Sequence, residues 1–229
     1  TSLSPSTTVD GGVIGSVLMV DMRTGNTTLI AGFSSQLYGT VQDNAGGLYI
    51  FGSFANYGDA NGDGIVYRNA AGAISSMGSG ASVSLYDACL GLDGKIYVVG
   101  SATNIGGVAD ADYSASWNGT TWAALQGGFN AAMWAVCADG IGNIYVGGTA
   151  TTAITGSLVG NYIFKWNGSA WSAIGGSTKG VAGGSIPVFT LISLPDNKIV
   201  LGGEFTSAGG DAAIKYLAIY NPVTDAFSS

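Results

Sequence analysis

A row of strand-type residues returns along the chain at Tyr49, Tyr97, Tyr145 and Val200, with spacings of 48, 48 and 55 residues. Three further rows keep the same phase: an aromatic residue eleven positions upstream, a turn former three upstream and a glycine three downstream. Their members are Tyr38, Tyr86, Trp134 and Phe189; Gly46, Gly94, Gly142 and Asn197; and Gly52, Gly100, Gly148 and Gly203. Because these rows are independent of the first one, they support the period, and the sequence is a tandem repeat.

Short alternating apolar runs lie inside each period. In the second repeat they cover 85–90, 95–100, 113–118 and 121–125, each bounded by Gly, Asn or Asp, which is typical of β-strands. The 39 glycines among 229 residues disfavour helices, since each costs a helix roughly 1 kcal/mol relative to alanine. A repeated four-stranded unit of this length is typical of propellers. The sequence therefore predicts an all-β fold: a β-propeller of four-stranded antiparallel blades, with five blades or as part of a larger ring.

The repeats divide the chain into a partial blade at 17–32 and repeats at 38–80, 86–128, 134–177 and 189–229. The partial blade has only the last two strands of a unit, so the ring needs further strands to close. Either the N-terminal segment 1–16 supplies an irregular closing strand, or the last blade is completed by residues outside this sequence or by another chain. Open sheet edges favour such association.

Two motifs carry a family resemblance. The second strand ends in paired glycines, as at 144–148 and 199–203, and an aromatic at the end of the third strand is followed five residues later by tryptophan. The aromatic pairs are Trp117 with Trp122 and Trp166 with Trp171, whereas the first and last repeats have Tyr67 with Ile74 and Tyr220 with Phe227. From about residue 17 onward, the chain resembles kelch-type repeats, and its WNG and GG motifs are similar to repeats of bacterial surface and phage tail proteins. The resemblance implies a structural or adhesive propeller that is extracellular, on a cell surface or on a virion.

Composition excludes two classes of partner. No apolar run approaches the 18 residues of a membrane helix, so we expect no membrane insertion. Seven basic residues against fourteen acidic ones, with a pI near 4.1, leave no basic surface for phosphates, so we expect no nucleic acid. Cys89 and Cys137 occupy equivalent positions, and we expect them to be small core residues instead of a disulfide.

The predicted working face is the end of the blades that carries the long loops. Dipeptides such as Asn118-Gly119 form tight turns at one end, whereas dissimilar loops at 53–64, 101–112, 149–161 and 204–214 and the connection 175–187 lie at the other. Binding residues usually lie on such loops. Acidic residues are also typical of loops that are simply exposed to solvent, so both interpretations of the acids in these loops stay open. The candidate partner-binding residues are Asp110, Asp112, Trp134, Lys179, Glu204 and Asp211. Trp134 has two interpretations: it stacks on a sugar ring of a ligand, or it packs inside the protein like the other aromatic residues of its row.

One loop has the spacing of a metal site. Asp59, Asn61 and Asp63 match the opening of a calcium loop, in which alternate oxygens turn toward the ion. The closing carboxylate is missing, because Ala70 stands at the twelfth position. Calcium binding through these three residues and a simple polar turn are both open from sequence, and we expect no other cofactor.

The composition argues against catalysis. The absence of histidine removes imidazole-dependent nucleophiles and metal sites, and a sialidase-type site would need three arginines, whereas only Arg23 and Arg68 are present. Paired carboxylates for glycoside hydrolysis stay open, with Asp87 as the unusual member of its row. We therefore predict no catalytic residues and a non-catalytic structural or protein-interaction module, bound to other subunits of a surface or virion assembly. The alternatives are a lectin-like, glycan-binding adhesin or a receptor-binding propeller and, third, a glycoside hydrolase.

Overall fold

A computed structural model describes residues 2–6, 15–20, 27–153 and 158–229, and the structural statements below refer to these residues. Within them the protein consists of short strands in small antiparallel sheets, with two single-turn 3₁₀ helices at Ile105–Gly107 and Gly176–Thr178. This confirms the all-β prediction. None of the described helices is long and apolar enough to cross a membrane.

The strands form an N-terminal sheet and four meandering sheets, which we number I to IV. The N-terminal sheet contains β1 (Ser2–Ser6), β2 (Gly15–Val20) and β3 (Thr27–Phe33). Sheet I contains β4 (Leu37–Gln42), β5 (Leu48–Gly52), β6 (Ile65–Arg68) and β7 (Ile74–Ser76). Sheet II contains β8 (Leu85–Leu90), β9 (Ile96–Gly100), β10 (Ser114–Trp117) and β11 (Trp122–Ala124).

Sheets III and IV have the same order, with short strands added in their loops. Sheet III contains β12 (Met133–Ala138) and β13 (Ile144–Gly148), then, after the separate pair β14 (Thr152–Ala153) and β15 (Leu158–Val159), β16 (Ile163–Trp166) and β17 (Trp171–Ala173). Next comes β18 (Val181–Ala182), which pairs with β21 (Ser207–Ala208). Sheet IV contains β19 (Thr190–Ser193), β20 (Ile199–Gly202), β22 (Leu217–Asn221) and β23 (Ala226–Ser228).

Two of the sequence rows have direct backbone causes. Gly46, Gly94, Gly142 and Asn197 have φ values of 83°, 78°, 99° and 63° in the turns between the first and second strands, a region that glycine and asparagine tolerate best. At Gly52, Gly100, Gly148 and Gly203 a Cβ atom would overlap a backbone carbonyl of the segment that leads into the first strand. The repeat therefore keeps glycine where the chain approaches itself most closely.

Consecutive sheets pack face to face and bury four hydrophobic clusters. The N-terminal sheet packs on sheet I, sheet I on II, II on III and III on IV. The first strands of neighbouring sheets also contact one another, β4 with β8, β8 with β12 and β12 with β19. The described sheets do not form a closed ring.

The two small pairs, β14–β15 and β18–β21, lie in segments that the sequence predicts as loops. Strands of two residues are too short to show an alternating pattern. The pair β18–β21 joins the long connection after sheet III to the loop between β20 and β22, so these loops support each other.

Candidate functional site

The loop-end acids mainly accept hydrogen bonds from loop backbone. The acceptor–donor pairs, carboxylate to N–H, are Asp112–Asn104 at 3.0 Å, Glu204–Ser185 at 2.9 Å, Glu204–Ile186 at 3.1 Å and Asp211–Ala213 at 2.8 Å. Asp110 and Lys179 are exposed. No three His, Cys, Asp or Glu residues come together as a metal cluster within the described ranges. The acids therefore hold the loops in shape individually.

The predicted calcium loop uses its carboxylates in the same way. Asp59 Oδ1 accepts the N–H of Asn61 at 2.8 Å, and Asp63 Oδ1 accepts the N–H of Asn56 at 2.7 Å. Each carboxylate keeps a second oxygen, so calcium binding at Asp59, Asn61 and Asp63 stays a prediction, beside the polar-turn interpretation.

The upstream aromatic row forms a ladder across the first strands. In sheets I to III these residues lie at β-bulges, where the register between the first two strands shifts. The ring-centroid distances are 5.6 Å for Tyr38–Tyr86, 4.3 Å for Tyr86–Trp134 and 6.2 Å for Trp134–Phe189. Trp134 stacks on Tyr86 and meets Phe189 edge-on, while its indole N–H is buried without a partner. The ladder thus links the sheets through ring contacts.

Asp87 lies beside this ladder, between the first strands of sheets II and III. Its Oδ2 accepts the N–H of Val136 at 2.9 Å. Burial raises the pKa of Asp87 to about 6, and no second carboxylate contributes to this shift. Cys89 and Cys137 are free thiols on the same two strands, and burial raises the pKa of Cys137 to about 12. This arrangement provides one carboxyl with a raised pKa and two protonated thiols.

The most distinctive surface is the face that sheet IV presents away from sheet III. In the preceding sheets the corresponding row is buried by the next sheet: Tyr49 is 9% exposed, Tyr97 4% and Tyr145 0%. In sheet IV the member of this row, Val200, is partly exposed, and Ile192 and Leu217 on the same face are 57% and 60% exposed. We call the surface formed by Ile192, Val200, Leu217 and Ile219 the open face.

A strained tyrosine borders the open face. Tyr113, Tyr162 and Tyr216 occupy equivalent positions before the third strand, with φ values of 63°, 75° and 64°, a costly region for a bulky side chain. Tyr113 and Tyr162 are partly buried against the clusters toward the following sheet. Tyr216 is 62% exposed. Tyr216 therefore has the same positive φ as Tyr113 and Tyr162, which pack against the following sheet, but no described sheet covers it.

The sequence did not single out the open face, because its aliphatic residues match the buried strand pattern of the other repeats. The signal that was present is the repeat register itself, which places Ile192 and Val200 in rows whose other members face the following unit.

No protein-family model matches the chain, and no curated protein matches it in sequence. The resemblance to kelch-type and WNG/GG repeats therefore stays a prediction.

Proposed function

We propose that this protein is a non-catalytic structural module of the β-propeller type, in an extracellular, cell-surface or virion setting, which binds protein neighbours through the open face. The support for a propeller arrangement is the meander order of sheets I to IV and the contact between consecutive first strands. The observation that carries the interaction role is the exposure of Ile192 and Leu217, whose equivalents lie between sheets in earlier repeats.

The occupant that fits the open face is a second copy of this chain. Each equivalent face is covered by a sheet of the same repeat, so the complementary surface is one that this chain itself makes. The open-face residues carry no charge, so two copies with net charge −7 can join there without burying like charges. Apolar contact of this kind is the main favourable term in association.

The N-terminal sheet provides the matching surface. Val17, Ile30 and Phe33 pack on sheet I, and the neighbouring Leu29 of β3 is 63% exposed. Alternate residues of a strand point to opposite faces, so Leu29 lies on the side away from sheet I. Contact between this side and the open face of another copy is head-to-tail, which gives a closed ring or a filament.

The test is light scattering and sedimentation over a range of protein concentrations. We expect concentration-dependent association of the wild-type chain, and a monomer for Leu217→Glu, because a charge on the open face would be buried at the contact. Val223→Glu is the matched control, since Val223 is 90% exposed and lies in the β22–β23 turn. It should associate like the wild type, and circular dichroism should show that all variants are folded.

A mixing experiment distinguishes head-to-tail contact from other modes. Leu29→Glu blocks the N-terminal sheet and Leu217→Glu blocks the open face, so each variant alone should be monomeric. Their mixture keeps one intact pair of surfaces and should form a dimer but nothing larger. A monomeric wild type, or a Leu217→Glu variant that associates normally, would show that the proposal is wrong.

A further inference from the structure

A groove of about 250 Å³ lies between sheets I and II, near the tight-turn end and separate from the open face. Its polar and aromatic walls are Tyr49, Tyr67, Ser75, Ser76 and Trp117. The groove is smaller than the roughly 300–1,000 Å³ of sites for drug-sized ligands. Its size therefore suits a single small ring.

Two donors in this groove have no protein partner. Tyr49 is 9% exposed and Trp117 8% exposed, yet neither the Tyr49 hydroxyl nor the Trp117 indole N–H donates a hydrogen bond to any described residue. Neither atom is one of the fully buried polar atoms that lack a partner in the described residues, so both reach the space of the groove and can bond water there. Both side chains line the same groove, so a bound acceptor would satisfy them together.

A local exchange of partners explains why Tyr49 is unpaired. In sheet II the hydroxyl of Tyr97, the equivalent of Tyr49, donates to Asp93 at 2.9 Å. In sheet I the corresponding turn carboxylate, Asp43, accepts instead from Tyr67 at 2.7 Å. The position equivalent to Tyr67 in sheet II is Ser116, whose shorter side chain leaves Asp93 to Tyr97. The groove chemistry is thus specific to the interface between sheets I and II.

The chemistry of the walls selects the ligand class. No Lys or Arg lines the groove, so phosphates and carboxylates have no counter-charge. A quaternary ammonium ion would interact with the aromatic rings but would leave both donors unpaired, because it has no acceptor. A neutral polyhydroxylated ring offers acceptor oxygens to Tyr49 and Trp117, exchanges hydrogen bonds with Ser75 and Ser76, and places its apolar face on aromatic carbon.

We propose that this groove binds one neutral pyranose residue of a glycan. The Tyr49 hydroxyl and the Trp117 indole N–H donate to its ring hydroxyls. This role goes beyond the structural function proposed above, because the groove and the open face share no residue.

The test is titration calorimetry and saturation-transfer NMR with the methyl glycosides of glucose, galactose, mannose and N-acetylglucosamine, with choline as the cationic comparison. We expect saturable binding of at least one glycoside. Tyr49→Phe should weaken that binding by roughly threefold to tenfold, the effect of one hydrogen bond, without lowering the Tm, because the lost hydroxyl has no protein partner.

The matched controls are Tyr97→Phe and Trp166→Phe, at the equivalent positions of the next interface, which should bind the glycoside like the wild type. Leu217→Glu should also bind normally even though it no longer associates, so failure of one proposal is distinguishable from failure of the other. Absence of saturable binding to every glycoside, unchanged affinity of Tyr49→Phe, or binding of choline alone would each overturn the proposal.

Discussion

Asp87 shows how one residue can set a pH dependence of folding. Burial between the first strands of sheets II and III raises the pKa of Asp87 to about 6, whereas an aspartate in the unfolded chain has a pKa of about 3.9. Between these two values the folded chain holds the proton and the unfolded chain does not. The free energy of unfolding contributed by Asp87 is therefore fully present below about pH 4 and is lost as the pH rises through about 6.

Asp87→Asn should remove this loss. The amide oxygen can replace only one of the two carboxylate oxygens, which accept the N–H groups of Ala88 and Val136, so the variant loses a pH-independent amount of free energy, but its side chain has no charge to bury. Relative to the variant, the wild type should lose about 2 kcal/mol of unfolding free energy between pH 4 and pH 7. Urea titrations of both proteins at several pH values measure the difference.

The comparison with Asp87→Asn isolates this carboxyl. The pKa values of Asp43, Asp93 and Asp225 lie below the usual value despite burial, because hydrogen bonds lower them. These groups stabilise the fold as pH rises, but they do so equally in both proteins. If the difference in unfolding free energy between the wild type and Asp87→Asn does not vary with pH, the pH dependence does not come from Asp87.

At the scale of elements, the β22–β23 turn is joined to the connection that follows sheet III. Asp225 Oδ1 accepts the N–H of Gly175 and the hydroxyl of Tyr220, each at 2.8 Å, and Oδ2 accepts the N–H of Gly176 at 2.9 Å. These three bonds fix a hairpin turn to a segment about fifty residues earlier in the chain.

Asp225→Asn should lower the unfolding free energy by about 1–2 kcal/mol, since the amide nitrogen cannot accept the third bond and the charge is lost. Asparagine tolerates the positive φ of 52° at this position, so backbone strain does not confuse the result. Asp196→Asn is the control. It disrupts only the exposed ion pair with Lys198, a class of contact worth about 0–1 kcal/mol. Equal effects of both substitutions on chemical unfolding would disprove the role of Asp225.

The main strands are also predictable at this scale. The expected strand 85–90 coincides with β8, and the other three of that repeat shorten by one or two residues to β9, β10 and β11. Alternating apolar residues and Gly or Asn turns are local signals, so they can be read from sequence. The pairing of β18 with β21 is not local, because its residues meet only after sheets III and IV have packed.

For the whole molecule, the open face predicts uneven protection from hydrogen exchange. Sheets II and III are covered on both sides, whereas sheet IV is covered on one. At low protein concentration the amides of β20 and β22 should therefore exchange faster than those of β9 and β13, through local opening. Their exchange should slow as concentration rises, and Leu217→Glu should abolish that change. Equal protection of sheets II and IV in a dilute sample would contradict the proposed interface.

The sequence by itself determined the repeat period, the all-β class and the turn and glycine rows, because these depend on local backbone geometry. Tertiary structure decided which hydrogen-bond partner and which exposure each residue of a row has. The Tyr97 hydroxyl bonds Asp93, that of Tyr49 lines a groove, and that of Tyr145 is buried without a partner. The three tyrosines are identical in sequence register, but their hydroxyl partners come from turns and neighbouring sheets. Exposure of the open face likewise depends on whether another sheet follows, which no single repeat encodes.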